Sequence, residues 1–520
     1  MSSELTADYV VVGAGSSGCV VTHRLVTSGS RVVLLEAGGP DTNPAIHDPR
    51  GVLSLWGSDV DWKYMTEPQA QLGGRQVFIS RGKVLGGSSA IYAMLYVRGN
   101  QRDYDHWGYL GNEGWSYDAV LPYFMRSERN SRGASQYHGG DGPMDVRDNP
   151  TPSPVAKAFP HGCVELGFKG PDWDYNGPVQ EEGAGLYQVN ITPEGKRCSA
   201  AVAFLRPIQN RSELQIVTGA QATKVLIEKG RAVGIEFVKD GKVQRVRAEK
   251  EVIVSAGAFD SPKLLMLSGL GPAEHLKANG VGVVVDLPGV GQNLQDHLLM
   301  PVFYNSKIKM DAPMFIAEAA LFTRTRKGMD SAAPDLQYHF SAGIPAFNPP
   351  GYDVSDASFV FVPILVKPQS RGEVKLRSSN AADLAVVKPN YLQSDTDLQV
   401  LEYGVKLARE IAQTKAFKDF TIKEAAPGTD KDPAALREYI RTHCSTVWHV
   451  AGTCRMGRDR MGVVDPQLRV HGVQGLRVAD ASIMPDVVAG NTHAACVMIG
   501  ERCADFVMGR MTARAAVAAA

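Results

Sequence analysis

Tyr9-Val-Val-Val-Gly-Ala-Gly-Ser-Ser-Gly18 runs on through Cys19-Val-Val-Thr-His-Arg-Leu-Val26 and, after a short break, Arg31-Val-Val-Leu-Leu-Glu36. An apolar run ends in glycines, apolar residues then recur at helical spacing, and a second apolar run ends at an acid. That order spells strand, glycine turn, helix and strand, a single βαβ unit. Gly13, Gly15 and Gly18 satisfy G-x-G-x-x-G at the start of the helix. The first glycine permits the tight turn and the second lets backbone approach a pyrophosphate. The third allows close helix–strand packing, and the helix N-terminus offers free N–H groups to the anion. Glu36, eighteen residues beyond Gly18, is placed to accept hydrogen bonds from an adenosine ribose. The unit therefore predicts dinucleotide binding without distinguishing FAD from NAD.

Outward from this unit, Leu214-Gln-Ile-Val-Thr218 and Ala222 to Glu228 read as strands. Ala232 to Val238 and Val243 to Ala248 form a hairpin pattern around Asp240-Gly241, and Glu251 to Ser255 reads as a separate buried strand. Between Asn43 and Gln76 the pattern loosens around Trp56 and Trp62, an excursion from which the chain returns at Arg81. From about 300 to 440, alternating segments such as Leu336-Gln-Tyr-His-Phe340 mix with proline-rich connections, and Asp397 to Ala412 has the period of an amphipathic helix.

A chain of 520 residues predicts two domains. Lys+Arg and Asp+Glu balance at 55 each, which gives no overall electrostatic case for nucleic acid or an acidic membrane surface. No apolar stretch approaches the roughly 20 residues of a membrane span, and the first residues show no secretory pattern. The seven cysteines are scattered without a CxxC pair, so neither a metal site nor a disulfide framework is expected, and a reduced, cytoplasmic location is.

Further motifs narrow the cofactor. Gly82-Lys-Val-Leu-Gly-Gly-Ser-Ser89 and Gly257-Ala-Phe-Asp-Ser-Pro-Lys-Leu-Leu-Met-Leu-Ser-Gly-Leu-Gly271 resemble the two signatures of glucose–methanol–choline oxidoreductases. Gly289-Val-Gly-Gln-Asn-Leu-Gln-Asp-His297 is similar to the segment that follows the second. Pro368-Gln-Ser-Arg-Gly372, Asp465-Pro466 and Val478-Ala-Asp-Ala-Ser-Ile-Met-Pro485 resemble the family's C-terminal region. The resemblance runs from about residue 8 to 507, closest in wording to bacterial FAD-linked alcohol and sorbose dehydrogenases.

The resemblance implies a mixed α/β fold: a Rossmann-type FAD domain of glucose-oxidase type, with a substrate domain built on an antiparallel sheet flanked by helices. It divides the chain into a discontinuous FAD domain (1–42, 77–150, 195–300 and 445–510), a substrate domain (43–76, 151–194 and 301–444) and a flexible tail (511–520). FAD contacts are implied for Gly13, Gly15, Ser16, Ser17, Gly18, Glu36 and Ala37 in the first unit. Arg81, Val84, Gly86, Gly87, Ser88, Tyr92 and Ala93 follow in the signature loop. Val225, Ala256, Gly257, Trp448, Asp480, Ala481, Asn491 and Thr492 complete the set. Ile91 stands where some members carry a histidine joined covalently to the flavin, which implies noncovalent FAD. Tyr92 stands where the signature usually has Asn or His.

Val447-Trp-His-Val-Ala-Gly-Thr-Cys-Arg-Met-Gly457 resembles the segment that carries the family's catalytic histidine, and Gly490-Asn-Thr-His493 the segment that carries its partner. His449 and His493 are thereby the implied catalytic pair. Hydride leaves an alcohol carbon only as the hydroxyl proton is lost, and a neutral imidazole with a pKa near about 6.5 is matched to that proton. The second side chain orients the oxygen while flavin N5 takes the hydride. His297, His339 and His471 are read as structural, His138 as a turn residue, and Cys454 and Cys496 as packing. Trp62, Tyr92, His339, Phe340, Phe361 and Trp448 are the candidates for an apolar substrate pocket.

The function expected is oxidation of a small alcohol, with electrons passing to a quinone- or dye-type acceptor or to oxygen. Alternatives on the same fold are a lyase resembling hydroxynitrile lyases, an enzyme resembling fatty acid photodecarboxylases, and a non-catalytic flavin binder.

Overall fold

The structure, a computed structural model, describes residues 5–510; the tail expected at 511–520 lies outside them. The βαβ unit is formed by β1 (Leu5–Val12), α1 (Ser16–Thr27) and β2 (Val32–Leu35). β1 is hydrogen-bonded on both sides, and Val10 and Val11 are wholly buried, which is why the strand reads as a continuous apolar run rather than an alternating one. β2 continues in parallel to β3 (Leu214–Val217).

The other flank is a meander of β4 (Gln221–Glu228), β5 (Arg231–Lys239) and β6 (Lys242–Val254). Asp240 and Gly241 both take positive φ in the β5–β6 turn (51° and 71°), the geometry that an Asp-Gly hairpin favours. The two strands expected at Val243–Ala248 and Glu251–Ser255 are one. Its first part pairs with β5, and its last part lies parallel to β1 and to Leu476–Val478. The pairing with β1 shifts between Ala7 and Tyr9, and this irregularity is what interrupts the apolar pattern. β6 then delivers the chain into α2 (Gly257–Leu267).

The second large sheet is antiparallel throughout. At its centre are β7 (Val302–Ser306), β8 (Ala319–Thr323), β9 (Leu336–Ala342) and β10 (Ser358–Leu365), in the order β7-β10-β9-β8. Thr421–Ala426 lies outside β7 and Gly183–Leu186 outside β8. His339 pairs with Val362 and Phe303 with Val360, so these four share one face. Phe340, Phe359 and Phe361 share the other, in a wholly buried aromatic cluster with Phe159 and Phe417. That second face is covered by helices, among them α3 (Asp395–Ala412), whose Leu398, Leu401, Val405, Ala408 and Ile411 form the expected apolar stripe.

The last helix, α4 (His493–Val507), lies across α1. At Gly500 an added Cβ would come within 2.7 Å of the Ser17 carbonyl oxygen and 2.9 Å of the Val20 Cβ, so only glycine allows this approach. Glu501, wholly buried beside it, forms ion pairs with Arg24 on α1 and with Arg126, and accepts from the Ser127 hydroxyl at 2.7 Å. This crossing brings the first residues of the two helices together, His493 against Ser16.

Candidate active site

A cavity of about 530 Å³ runs from the ends of β1 and β2 to the His339 face of the antiparallel sheet. Its nucleotide end is built from backbone. The N-cap of α1 is Gly15, with no side-chain cap, so the helix's first N–H groups are free for an anion. A Cβ at Gly18 would stand 1.9 Å from the Gly13 carbonyl oxygen and one at Gly13 2.4 Å from that of Ser255, so the cradle closes only with glycine at both. Glu36 accepts from the N–H of Ala14 (2.9 Å) and of Gly38 (2.8 Å), and burial pushes its carboxyl up to about 7. Asp480 braces the opposite wall, accepting from Gly257 N–H, Ser482 N–H and the Ser261 hydroxyl. A phosphate-bearing ribonucleotide fits this donor set: free N–H groups for anionic oxygens and a buried carboxylate for hydroxyl donors.

Of the residues expected at the cofactor, Gly13, Gly15, Ser16, Ser17, Glu36, Ala37, Arg81, Gly87, Ser88, Tyr92, Ala93, Ala256, Gly257, Trp448, Asp480, Ala481, Asn491 and Thr492 line the cavity. Gly18, Val84, Gly86 and Val225 do not. Gly18 faces Gly13, and Val84 is buried with Ile46 and Leu55. The Gly86 N–H is taken by the Ala14 carbonyl, and that of Val225 donates to the Ser268 hydroxyl. In place of Val225, the cavity meets the same segment three residues earlier, at Ala220, Gln221 and Ala222.

At the other end stand the histidines. His449 follows the short strand Ser445–Thr446, next to Trp448, whose φ of 63° is unusual for a bulky residue. The bend is held by a Trp448 N–H bond to the Thr446 hydroxyl (2.7 Å) and by indole N–H donation to the Phe78 carbonyl (3.0 Å). His449 Nδ1 lies 3.0 Å from His297 Nδ1, and His449 Nε2 lies 3.3 Å from the Asn491 amide nitrogen. Asn491 Oδ1 accepts from the Gln337 amide (3.0 Å), which also donates to the Tyr187 hydroxyl (2.7 Å), which donates to the Tyr338 carbonyl (3.1 Å).

That chain of bonds sets the protons. A carbonyl only accepts, so Tyr187 donates to it and accepts from Gln337. Asn491 then takes its carbonyl side to Gln337 and its NH₂ side to His449. His449 Nε2 accordingly carries a lone pair and Nδ1 the hydrogen, which His297 Nδ1 accepts.

His493, at the first turn of α4, meets the Ser16 hydroxyl at Nδ1 (2.9 Å), with the Tyr92 ring 4.8 Å away centroid to centroid. Its Nε2 has no protein partner. Burial lowers His297, His339 and His493 to about 3, and His449 well below the ordinary histidine value, with His297, His339 and Arg81 adding to the effect on His449. All four rings are neutral at neutral pH.

Several expectations change here. His297, read as structural, is the hydrogen-bond partner of His449, and His339, read both as structural and as a pocket candidate, is part of the cavity wall. Phe340 and Phe361 do not reach the pocket, because strand alternation turns them to the opposite face from His339 and Val362. Trp62, Tyr92 and Trp448 do line it, joined by Trp56. The Tyr92 hydroxyl turns away, donating to Asn190 at 2.9 Å. Cys496 lines the cavity as well as packing, and burial pushes its thiol up to about 12. His138 sits in a turn, but is also buried between two carboxylates.

A nucleotide cradle joined by one cavity to a cluster of neutral histidines defines an oxidoreductase that uses a dinucleotide. The chain belongs to the glucose–methanol–choline (GMC) oxidoreductase family, whose N-terminal model matches residues 7–299 and C-terminal model residues 368–500. It is 40% identical to an oxygen-dependent choline dehydrogenase of Sinorhizobium fredii, over 97% of this chain and 96% of the relative. The crystal structure of pyridoxine 4-oxidase from Mesorbium loti is similar over 97% of this chain and all of its own, at 33% identity and a TM-score of 0.91. A formate oxidase variant of Aspergillus oryzae is similar over 98% of this chain and 99% of its own, at 26% identity and a TM-score of 0.88. This chain is thus an FAD-dependent oxidoreductase acting on the CH–OH group of an alcohol. Among the described residues, no helix is long and apolar enough to cross a membrane, and no cluster of three or more His, Cys, Asp or Glu side chains is placed to hold a metal.

Proposed function

We propose that His449 is the base of the alcohol oxidation, that Asn491 and His493 hold the substrate oxygen, and that FAD is bound noncovalently. One observation carries the reading: the hydrogen-bond chain from the Tyr338 carbonyl leaves His449 Nε2 with its lone pair at the cavity. The 3.3 Å contact from Asn491 is long, so an entering hydroxyl replaces it. The hydroxyl proton passes to Nε2, and the freed amide donates to the oxygen as negative charge develops. His493 Nε2, which lacks a protein partner, serves the same oxygen. FAD, when bound, supplies the two-electron oxidant that removes hydride from the alcohol carbon. The α1 N-terminus and Glu36 would hold its pyrophosphate and ribose, and Ile91, apolar and 2% exposed, offers no atom for a covalent link.

In this reading, residues 1–42, 77–150, 195–300 and 445–510 carry the cofactor and 43–76, 151–194 and 301–444 the substrate. Seven free cysteines support a reducing, cytoplasmic setting. The electron acceptor is a quinone- or dye-type molecule or oxygen, and comparing oxygen with dye in turnover of one preparation separates the two.

The main test is anaerobic stopped-flow flavin reduction. His449→Ala loses about 10²–10⁴ in rate at full FAD loading, the usual worth of a positioned base. His493→Asn costs less, since an amide still donates to the oxygen. Equal rates for His449→Ala and wild type would remove the base from this site.

A further inference from the structure

The two ends of the cavity differ in chemistry, and the difference bears on the substrate. Among the described residues, three carboxylates line it: Glu36, Asp260 and Asp480. Glu36 and Asp480 lie just beyond strands of the first sheet, after β2 and after Leu476–Val478, and Asp260 lies on α2. Each is already engaged: Glu36 by backbone N–H groups, Asp260 by the Tyr64 hydroxyl and Lys263, Asp480 by Gly257 and Ser261. Beneath the antiparallel sheet the wall is Leu299, Pro301, Phe303, Ile316, Val360 and Val362. Phe303 and Val360 are cross-strand partners on the same face as Val362 and His339, so this patch is continuous. Aromatic rings face it from the excursion and from the His449 segment. Trp56 meets Trp448 edge to face at 4.4 Å and Phe347 at 6.3 Å, with both indole N–H groups donating to backbone carbonyls, those of Ile91 and Phe78.

A substrate entering this end finds its polar contacts concentrated at the catalytic-end histidines and Asn491, with His443, Ser445 and Thr446 the other polar residues of this stretch of wall. A polyol would bury more hydroxyls than this wall can partner, and each one left unpaired costs affinity. A quaternary ammonium would lose its hydration with no free carboxylate in this stretch of wall to offset it. Stacking on the tryptophans returns part of that cost. The charged side chain in the wall near His449 is moreover a cation, Arg81.

We propose that the substrate is a neutral alcohol whose hydroxyl is its sole polar group, borne on an apolar aryl or alkyl body, and that Phe303, Val360 and Val362 set this specificity. The proposal rests on the assignment of the reacting hydroxyl to His449. It sets this chain apart in substrate charge from the choline dehydrogenases to which it is similar.

The test is anaerobic reduction of the FAD-loaded enzyme by benzyl alcohol, 1-octanol, choline and glucose. The expected result is kcat/KM at least 100-fold higher for the apolar pair than for choline or glucose. Val362→Glu, which adds a carboxylate to the His339 face, should move the choline-to-benzyl-alcohol ratio at least tenfold toward choline. If that variant does not bind FAD, competition against benzyl alcohol by toluene and by tetramethylammonium in wild type reads the same property, toluene being the better inhibitor. Reduction fastest with choline or glucose overturns the substrate class and leaves the role of His449 standing. Bound flavin that none of the four alcohols reduces overturns the role of His449 itself.

Discussion

His138 and His449 are both enclosed by protein, yet their protons are held in opposite ways. His138 lies between Glu128 (2.9 Å) and Asp174 (2.7 Å), and those carboxylates lift it to about 9 against burial and the neighbouring Arg98. His449 has two histidines and an arginine around it and no acid, and falls well below the ordinary value. Burial alone removes charge from an imidazole, whereas a pair of carboxylates restores it. The first arrangement fastens together segments distant in sequence, and the second keeps an imidazole unprotonated.

The sharpest way to separate the two is to delete each ring. His449→Ala should slow flavin reduction about 10²–10⁴-fold, a barrier increase of roughly 3–5 kcal/mol, with the unfolding midpoint little changed. His138→Ala should do the reverse. It strips a cation from buried Glu128 and from Asp174, and breaking a buried pair costs roughly 3–5 kcal/mol. The low end applies, because Arg98 still pairs with Glu128. Denaturant unfolding of the FAD-loaded enzyme measures this, and the folded fraction should reduce at the wild-type rate. A His138→Ala enzyme as stable as wild type but slow to reduce would erase the contrast.

A smaller effect lies in the pH dependence of stability. For His138 the folded value of about 9 exceeds the unfolded one of about 6.5, so its contribution is complete below 6.5 and disappears as pH rises through 9. For His297, His339 and His493 the folded value is about 3, so the unfolded chain binds the extra protons and stability falls as pH drops below 6.5. Comparing wild type with His138→Ala isolates the first slope: the difference in unfolding free energy should narrow between pH 6.5 and 9 and stay constant from 6.5 to 5. A difference that widened with rising pH would mean that His138 is neutral in the fold.

The two clusters also differ in how far the sequence reveals them. His449 and His493 sit inside ordered motifs, and the βαβ unit, the Asp-Gly hairpin and the α3 stripe are local patterns that short-range chemistry enforces. Nothing near His138 points to Asp174, thirty-six residues on, because the node is assembled by tertiary packing. The same is true of His297, which meets His449 across 152 positions. Phe340 and Phe361 read as pocket residues in the sequence because alternation fixes that neighbours point to opposite faces but not which face is the pocket. The entry of the chain to the cofactor cavity at Ala220–Ala222 rather than Val225 likewise depends on where the sheet ends. The sequence-level division into β6 halves failed because a pairing irregularity looks like a break between strands.

The smallest predicted effect concerns His297, which would act on the base only as a positioning residue. If its Nδ1 accepts the His449 Nδ1 hydrogen, it fixes the tautomer that leaves Nε2 free for the substrate. One such bond is worth about 1–1.5 kcal/mol, so removing it should slow reduction about tenfold. His297→Leu removes the acceptor and keeps most of the volume. It also removes the ring's other nitrogen, which is buried and at most weakly bonded to the Val366 backbone, so the change in stability should be small. His297→Gln restores an acceptor through its amide oxygen, and should recover most of the rate and the wild-type pH profile of reduction. A ring that only fills space would give the opposite order, with Leu tolerated and Gln harmful. Stopped-flow reduction of both variants across pH, at equal FAD content and alongside their unfolding curves, separates the two. Leu reducing as fast as wild type while Gln lags would mean that the proton on His449 is held by the Asn491 side of the chain alone.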